Sequence, residues 1–246
     1  SNAMFKRMCE IMGDAIVEID CTFDPSEGDR ALRDAIERIK REAEDAVRQG
    51  FSHLILSDQK VSTQRVAIPM ILATGGVHAH LVKLGLRTFC SINVRAAECL
   101  DPHYFAVLIG TGATTVNPYL ALEAVADRHD RGLFGQMSLD EAVQRYKEAV
   151  DQGLLKIMSK MGISVISSYR GGYNFEALGL SRSLVSEFFP GMPSRISGIG
   201  LTGIQKKAVA QHAKGFTAAN VTLPVGGFYR FRRGGENHAY EGQLIH

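Results

Sequence analysis

AIVEIDCTFDPSEGDRALRDAIERIKREAEDAVRQGFSHLILS, running from Ala15 to Ser57, is the stretch on which the fold turns. Two short apolar, β-branched runs, Ala15–Asp20 and His53–Ser57, flank it. Between them, after a turn at Pro25–Gly28, Leu32, Ala35, Ile36, Ile39, Ala43, Ala46 and Val47 recur at helical spacing. Arg33, Glu37, Arg41, Glu44 and Arg48 occupy the opposite face, where charges four apart can pair. Gly50 ends the helix, since glycine tolerates the positive φ of a helix C-terminus. Strand, helix and strand in this order read as one parallel β-α-β unit.

The unit recurs outward. Thr88–Val94, Ala113–Asn117 and Ser164–Ser167 read as further strands. Ile68–Leu84, entered through Pro69, Pro102–Ile109, Pro118–His129 and Ser181–Phe188 read as helices, with further helical patterns near Asn174–Leu178 and Lys206–Lys214. Ser138 with Glu141 three residues on is a capping box opening a helix over Ser138–Gln152. Strands this apolar need helices on their faces, so the expected fold is α/β, either barrel-like or doubly wound. Ser1-Asn2-Ala3 reads as a scar of tag cleavage. Residues 4–214 read as the α/β domain, and 215–246, rich in glycine and aromatic and basic residues, as a linker or tail.

Composition narrows the function classes. Hydrophobic residues make up 45% and charged residues 22%, ordinary for a globular chain with a core, and the formal net charge is +2. That balance gives no reason to expect nucleic acid as a partner, and no apolar run is long enough to span a bilayer. Arg230, Arg232 and Arg233 form the one local cationic cluster and read as a solvated or interdomain surface. The four cysteines, Cys9, Cys21, Cys90 and Cys99, form no CxxC pair. Scattered thiols of this kind suit a reducing cytoplasm.

No glycine-rich nucleotide loop follows a strand. Gly171-Gly172, after the expected Ser164–Ser167 strand, offers amides to an anion, with Ser168 and Arg170 beside it, or forms a compact βα turn. Asp58 and Lys60 follow the second strand, and Asn93, Arg95 and Asn117 end the third and fourth. These positions either line one mouth of a barrel or cap the helices that follow. Lys156 and Lys160, four apart and interleaved with Met158 and Met161, suggest an anionic partner or a solvated face. His78 and His80, two apart on a helix, point to different faces and read as structural.

At Gly153–Ser164 (GLLKIMSKMGIS) the sequence resembles the GLLKxMSKMGIS signature of glutamate synthase large subunits. The resemblance continues through Ser168–Gly171 and Phe175–Leu180, similar to SYRGAQIFEAxGL, and through Pro193–Ile196 and Gly198–Leu201, similar to PSRIxGIGL. Upstream, Leu54–Asp58 resembles LILSDR, Val77–Leu86 resembles VHxHLxxxGLR, and Asn117–Glu123 resembles NPYLAxE. Arg232–Ala239 is similar to the RRGGExHAW stretch that leads into the family's flavin domain. The sequence departs from the family over Asn93–Pro102 and at Gly171–Asn174.

The resemblance implies the later part of a central domain, a rudimentary TIM-like (β/α) barrel lying between a glutamine amidotransferase domain and an FMN-binding domain. Family members convert glutamine and 2-oxoglutarate into two glutamates, passing ammonia from one reaction centre to the other. FMN and an iron–sulfur cluster belong to the other domains, so none is expected in this stretch, and it is expected to be inactive alone. Its expected partners are those two domains, with a homo-oligomer also open. Two rival readings are a stand-alone barrel enzyme or binder of a phosphorylated or carboxylated ligand, and a separately encoded regulatory subunit.

Overall fold

The computed structural model describes residues 2–217, 225–227 and 231–238. The chain divides into one unit over Ser1–Val209 and a second over Ala210–His246. In order, the elements are α1 (Asn2–Met12), β1 (Ile16–Asp20), β2 (Thr22–Phe23), α2 (Ala31–Arg48), β3 (His53–Ser57), β4 (Val66–Ala67) and α3 (Met70–Lys83). Then follow β5 (Ser91–Arg95), α4 (Pro102–Gly110), β6 (Thr115–Asn117), α5 (Tyr119–Asp130), α6 (Leu139–Lys160) and α7 (Ile166–Tyr169). The last are β7 (Leu178–Leu180), α8 (Arg182–Phe188), β8 (Ile196–Ile199) and α9 (Leu201–Thr217).

Four strands form one parallel sheet in the order β1-β3-β5-β6. The order follows the chain without the reversal of a doubly wound sheet. Its edges are β1 and β6, and no closed barrel forms among the described residues. Right-handed crossovers place successive helices on the same face of such a sheet. Accordingly Ile19, Leu54, Leu56, Ile92 and Val94 form one buried cluster with Leu32, Ile36 and Ile39 of α2 and Met70, Val77 and Leu81 of α3. The alternate residues, among them Glu18, Asn93 and Thr115, are register partners on the other face and are largely polar.

Helix α2 is built as its periodicity predicts: every apolar position named above is buried. Its outer face carries Arg33–Glu37 and Arg48–Glu44 pairs, worth only a few tenths of a kcal/mol each in solvent. Glu44 also meets His80 of α3 at 2.9 Å, tying the two helices together. Ser138 caps α6 through the Glu141 amide at 3.2 Å. This helix continues past Gln152 to Lys160, absorbing the Lys–Met segment. Gly153 makes that course possible, because a Cβ there would lie 2.5 Å from Pro102 at the start of α4.

Two expectations are corrected. Ser164–Ser167 is not a strand: the chain turns at Gly162 and forms the single helical turn α7, of which only Tyr169 is buried. Asn174–Leu178 is not helical; it leads into β7, which pairs in parallel with β8 in a separate two-stranded sheet. Asn2 and Ala3 belong to α1. In the second unit, the described residues past Thr217 contain no helix or strand, and Arg230 lies outside the described residues.

Candidate functional site

Parallel strands end at a common rim, and here Ser57, Arg95 and Asn117 are register partners along it. Asp58, one residue beyond β3, is buried and accepts a hydrogen bond from the Ala97 amide at 2.9 Å. The Tyr119 hydroxyl, from the first turn of α5, faces the same carboxyl. Burial pushes the Asp58 carboxyl up to about 6, against the lowering effect of the Ala97 amide and Tyr119. Asn93 is buried in mid-sheet, donating to the Leu54 carbonyl at 3.3 Å and accepting from the Thr115 hydroxyl at 2.8 Å. Both ends of its amide thus tie β5 to its neighbours.

Helix α1 lies against this rim. The Asn117 amide donates to Asn2 Oδ1 at 3.1 Å, and Asn2 donates to the Tyr119 carbonyl at 3.4 Å. The Arg95 guanidinium stands 5.2 Å from the centre of the Phe5 ring and 5.5 Å from that of Tyr119. Arg95 Nε and Asn117 Oδ1 are buried with no hydrogen-bond partner. At this part of the rim the Asp58 carboxyl and the Tyr119 phenol face each other, and neither bonds a histidine or a thiol among the described residues, while Asp20 at the end of β1 pairs with Arg65. Lys60 stands exposed in the following loop and joins none of these bonds.

Arg170 and Gly171 lie elsewhere. The Gly171 amide donates to the Ile109 carbonyl at 3.0 Å and the Gly172 amide to the Tyr169 carbonyl at 3.1 Å. Neither amide is free for an anion, and no helix follows, so the reading of this turn as an anion loop is corrected. Beside it Arg87 donates from Nε to His78 Nδ1 at 3.0 Å, from Nη1 to the Cys90 carbonyl at 2.6 Å and from Nη2 to the Gly112 carbonyl at 2.8 Å. Gly112 has φ +121°, and a Cβ there would lie 2.3 Å from His78 Nδ1, so only glycine admits this approach. Burial, then the Arg87 charge, pulls His78 down to about 4, leaving the ring neutral. Lys156, Lys160 and Ser168 are exposed on α6 and α7 and join neither cluster.

The rim's position was legible, because strand carboxyl ends are where α/β proteins place functional groups. Tyr119 was within reach of the same rule, two residues past Asn117. Phe5, Asn2 and Arg87 carried no sequence signal: what matters about them is which distant residue they touch. The cysteines are free, and among the described residues no three His, Cys, Asp or Glu side chains gather as a metal-ligand group. Burial raises the Cys21, Cys90 and Cys99 thiols above their usual range, which keeps them protonated and unreactive.

A family model described as the glutamate synthase central domain matches residues 1–181. This chain belongs to the glutamate synthase central-domain family. It is 63% identical over its full length to the glutamate synthase [NADPH] large chain of Azospirillum brasilense, covering 16% of that protein. It is 41% identical to the glutamate synthase [NADPH] large chain of Bacillus subtilis, over 89% of this chain and 14% of the relative. With the glutamate synthase [NADH] of Saccharomyces cerevisiae the identity is 37%, over 94% of this chain and 11% of the relative. The chain thus spans about a sixth or less of these relatives.

The buried rim of this central domain has a pH signature. Asp58 titrates higher folded than unfolded, so between about pH 4 and 6 the folded state binds more protons and stability falls as pH rises. His78 titrates lower folded than unfolded, so over a similar window the unfolded state binds more protons and stability rises with pH. The two contributions oppose each other. Asp58→Asn removes the first, so relative to the parent its stability gains on the order of 2–3 kcal/mol between pH 4 and 6.5. Urea denaturation across that range measures it; parallel curves for parent and variant would show that Asp58 titrates normally.

Proposed function

We propose that this central domain holds a glutamine-hydrolysing domain and an FMN-bearing domain in register, so that ammonia released at one reaches 2-oxoglutarate at the other. Its sequentially wound parallel sheet fits an incomplete, TIM-like barrel serving as a frame. The observation that carries this reading is the state of the strand rim. Asp58, Arg95 and Asn117 stand where a barrel enzyme puts its reactive groups, yet here Asp58 accepts from the Ala97 amide, Asn117 donates to Asn2 of α1, and Arg95 packs on the Phe5 and Tyr119 rings. Their bonds stiffen a frame. FMN, the iron–sulfur cluster and the glutamine nucleophile belong, on this reading, to other parts of the longer chain.

The relatives support a connector over a separate regulatory subunit, because in each of them the matched stretch lies within a much longer protein. Free thiols fit a reducing compartment, cytoplasmic in a bacterial setting, and no helix among the described residues is long and apolar enough to cross a membrane. The small β7–β8 sheet exposes Leu178 at 62% and Ile196 at 61%, apolar surface of the kind that docks against a neighbouring domain.

The test uses both the chain and the full-length large chain that contains it. The purified chain is expected to be colourless, to bind no added FMN by absorption spectroscopy, and to make no glutamate from 2-oxoglutarate. In the full-length protein, Leu178→Asp with Ile196→Asp is expected to leave glutamine hydrolysis and ammonia-dependent synthesis intact. Glutamine-dependent synthesis should fall about tenfold or more, since misplacing reaction centres is costly even at the ångström scale. Flavin binding or turnover by the chain alone, or unchanged coupling in the double variant, would overturn the proposal.

A further inference from the structure

At the amino-terminal ends of β3 and β5, opposite the rim, lies an open cleft of about 520 Å³. Arg87 and Arg170 both line it, together with His53, Ser52, Thr88 and Ser91, and no carboxylate does. Elsewhere on the surface arginines meet acids: Arg33 meets Glu187, Arg38 meets Glu42, and Arg65 meets Asp20. Arg87 instead spends its donors on a neutral imidazole and two carbonyls, and keeps its full charge uncompensated. The Arg170 side chain has no hydrogen-bond or ion-pair partner among the described residues, and its charge bears on Arg87 unfavourably.

Two like charges held together without an anion repel, and the cost grows as solvent is excluded. Arg87 cannot leave, because its hydrogen bonds to His78, Cys90, Gly112 and Thr114 fix it. Around the pair, the hydroxyls of Ser52, Thr88 and Ser91 make no hydrogen bond among the described residues, and His53 Nδ1 is buried without a partner. The three hydroxyls are able to donate to an oxygen. His53 and Ser91 are register partners on adjacent strands, so the sheet itself sets their spacing.

We propose that this cleft binds a small oxyanion, a phosphate or carboxylate group, with Arg170 as its direct ligand and Arg87 as a fixed source of positive potential. The hydroxyls of Ser91, Ser52 and Thr88 complete its donors. Arg170 is suited to this by its planar fork, which presents paired N–H groups to two oxygens at once. The site is separate from the strand rim, and it stands or falls independently of the connector role.

Calorimetric titration of the purified chain with inorganic phosphate, and separately with succinate, at ionic strength held constant with chloride, tests it. Saturable binding of at least one is expected, and whichever binds tighter assigns the phosphoryl or the carboxylate source. Arg170→Gln is expected to weaken binding at least about tenfold, the loss of one charge-assisted contact, while its melting temperature without anion matches the parent. Arg170→Lys, keeping the charge but not the fork, should retain an intermediate affinity. Lys207→Gln, which removes an exposed charge on α9, should titrate like the parent. Overturning results would be heats no larger than those of chloride, or equal weakening in Arg170→Gln and Lys207→Gln, which would reduce the cleft to nonspecific charge.

Discussion

Phe188→Ala is expected to destabilise the fold by about 3–5 kcal/mol, as full truncation of a buried aromatic does. Phe188 is fully buried at the end of α8. Its ring packs on α3 where Gly76 leaves room, since a Cβ on that glycine would come within 3.2 Å of it. The Arg33 guanidinium from α2 covers its other side at 5.6 Å from the ring centre, and Arg33 also pairs with Glu187. One side chain therefore fastens the segment after α7 onto the α2–α3 layer. Gly76, which faces the ring, has no side chain to fall into the hole, so the cavity stays open and the cost lies toward the upper end of the range. Urea denaturation followed by circular dichroism reads the effect. A loss below about 1 kcal/mol would mean that α8 is peripheral and that the core closes without it.

Arg87→Met is expected to cost about 2–4 kcal/mol, although it removes a charge from a half-buried place. The reason is what it abandons: the carbonyls of Cys90 and Gly112 and the Nδ1 of His78 all lose their donor. Unsatisfied buried acceptors cost about 1–3 kcal/mol each, partly offset here by the apolar packing of methionine and by relief of the Arg87–Arg170 repulsion. The variant also has a spectroscopic signature. Arg87 is the second cause, after burial, of the low His78 value, so removing it lets that value rise from about 4 while burial keeps it below the ordinary imidazole range. Imidazole carbon and proton shifts followed against pH would show this. An unmoved His78 titration together with unchanged stability would rule out the network as a structural element.

These two variants probe opposite kinds of legibility. Helix α2, the strands β1, β3, β5 and β6, and the Ser138 cap could be read from periodicity and capping because each is decided by residues adjacent in sequence. The β7–β8 pair could not. Leu178-Gly179-Leu180 is too short to show a period, and its partner Ile196–Ile199 lies beyond an intervening helix. The segment Ser164–Ser167 misled for a related reason: its β-branched residues favour a strand, but β-propensity yields to tertiary context, and the chain forms the helical turn α7 there.

The site followed the same division. Asp58, Asn93 and Arg95 were located because the ends of parallel strands fall at predictable points of a β-α-β repeat. What surrounds Arg95 depended on α1, more than eighty residues away in sequence and in contact with it only through tertiary packing. Arg170 was singled out beside a glycine turn whose amides proved to be taken, and it was Arg87, unmarked in the sequence, that gave it a setting.

By itself, then, the sequence determined the parallel α/β class, the order of the β-α-β units and the family signature, since all three are written in local pattern and short motifs. Tertiary structure alone decided that the sheet is not closed among the described residues, that α1 packs against the strand rim, and that two arginines share a cleft without an acid. Each of those facts is a meeting of side chains far apart in the chain, and local pattern carries no record of such meetings.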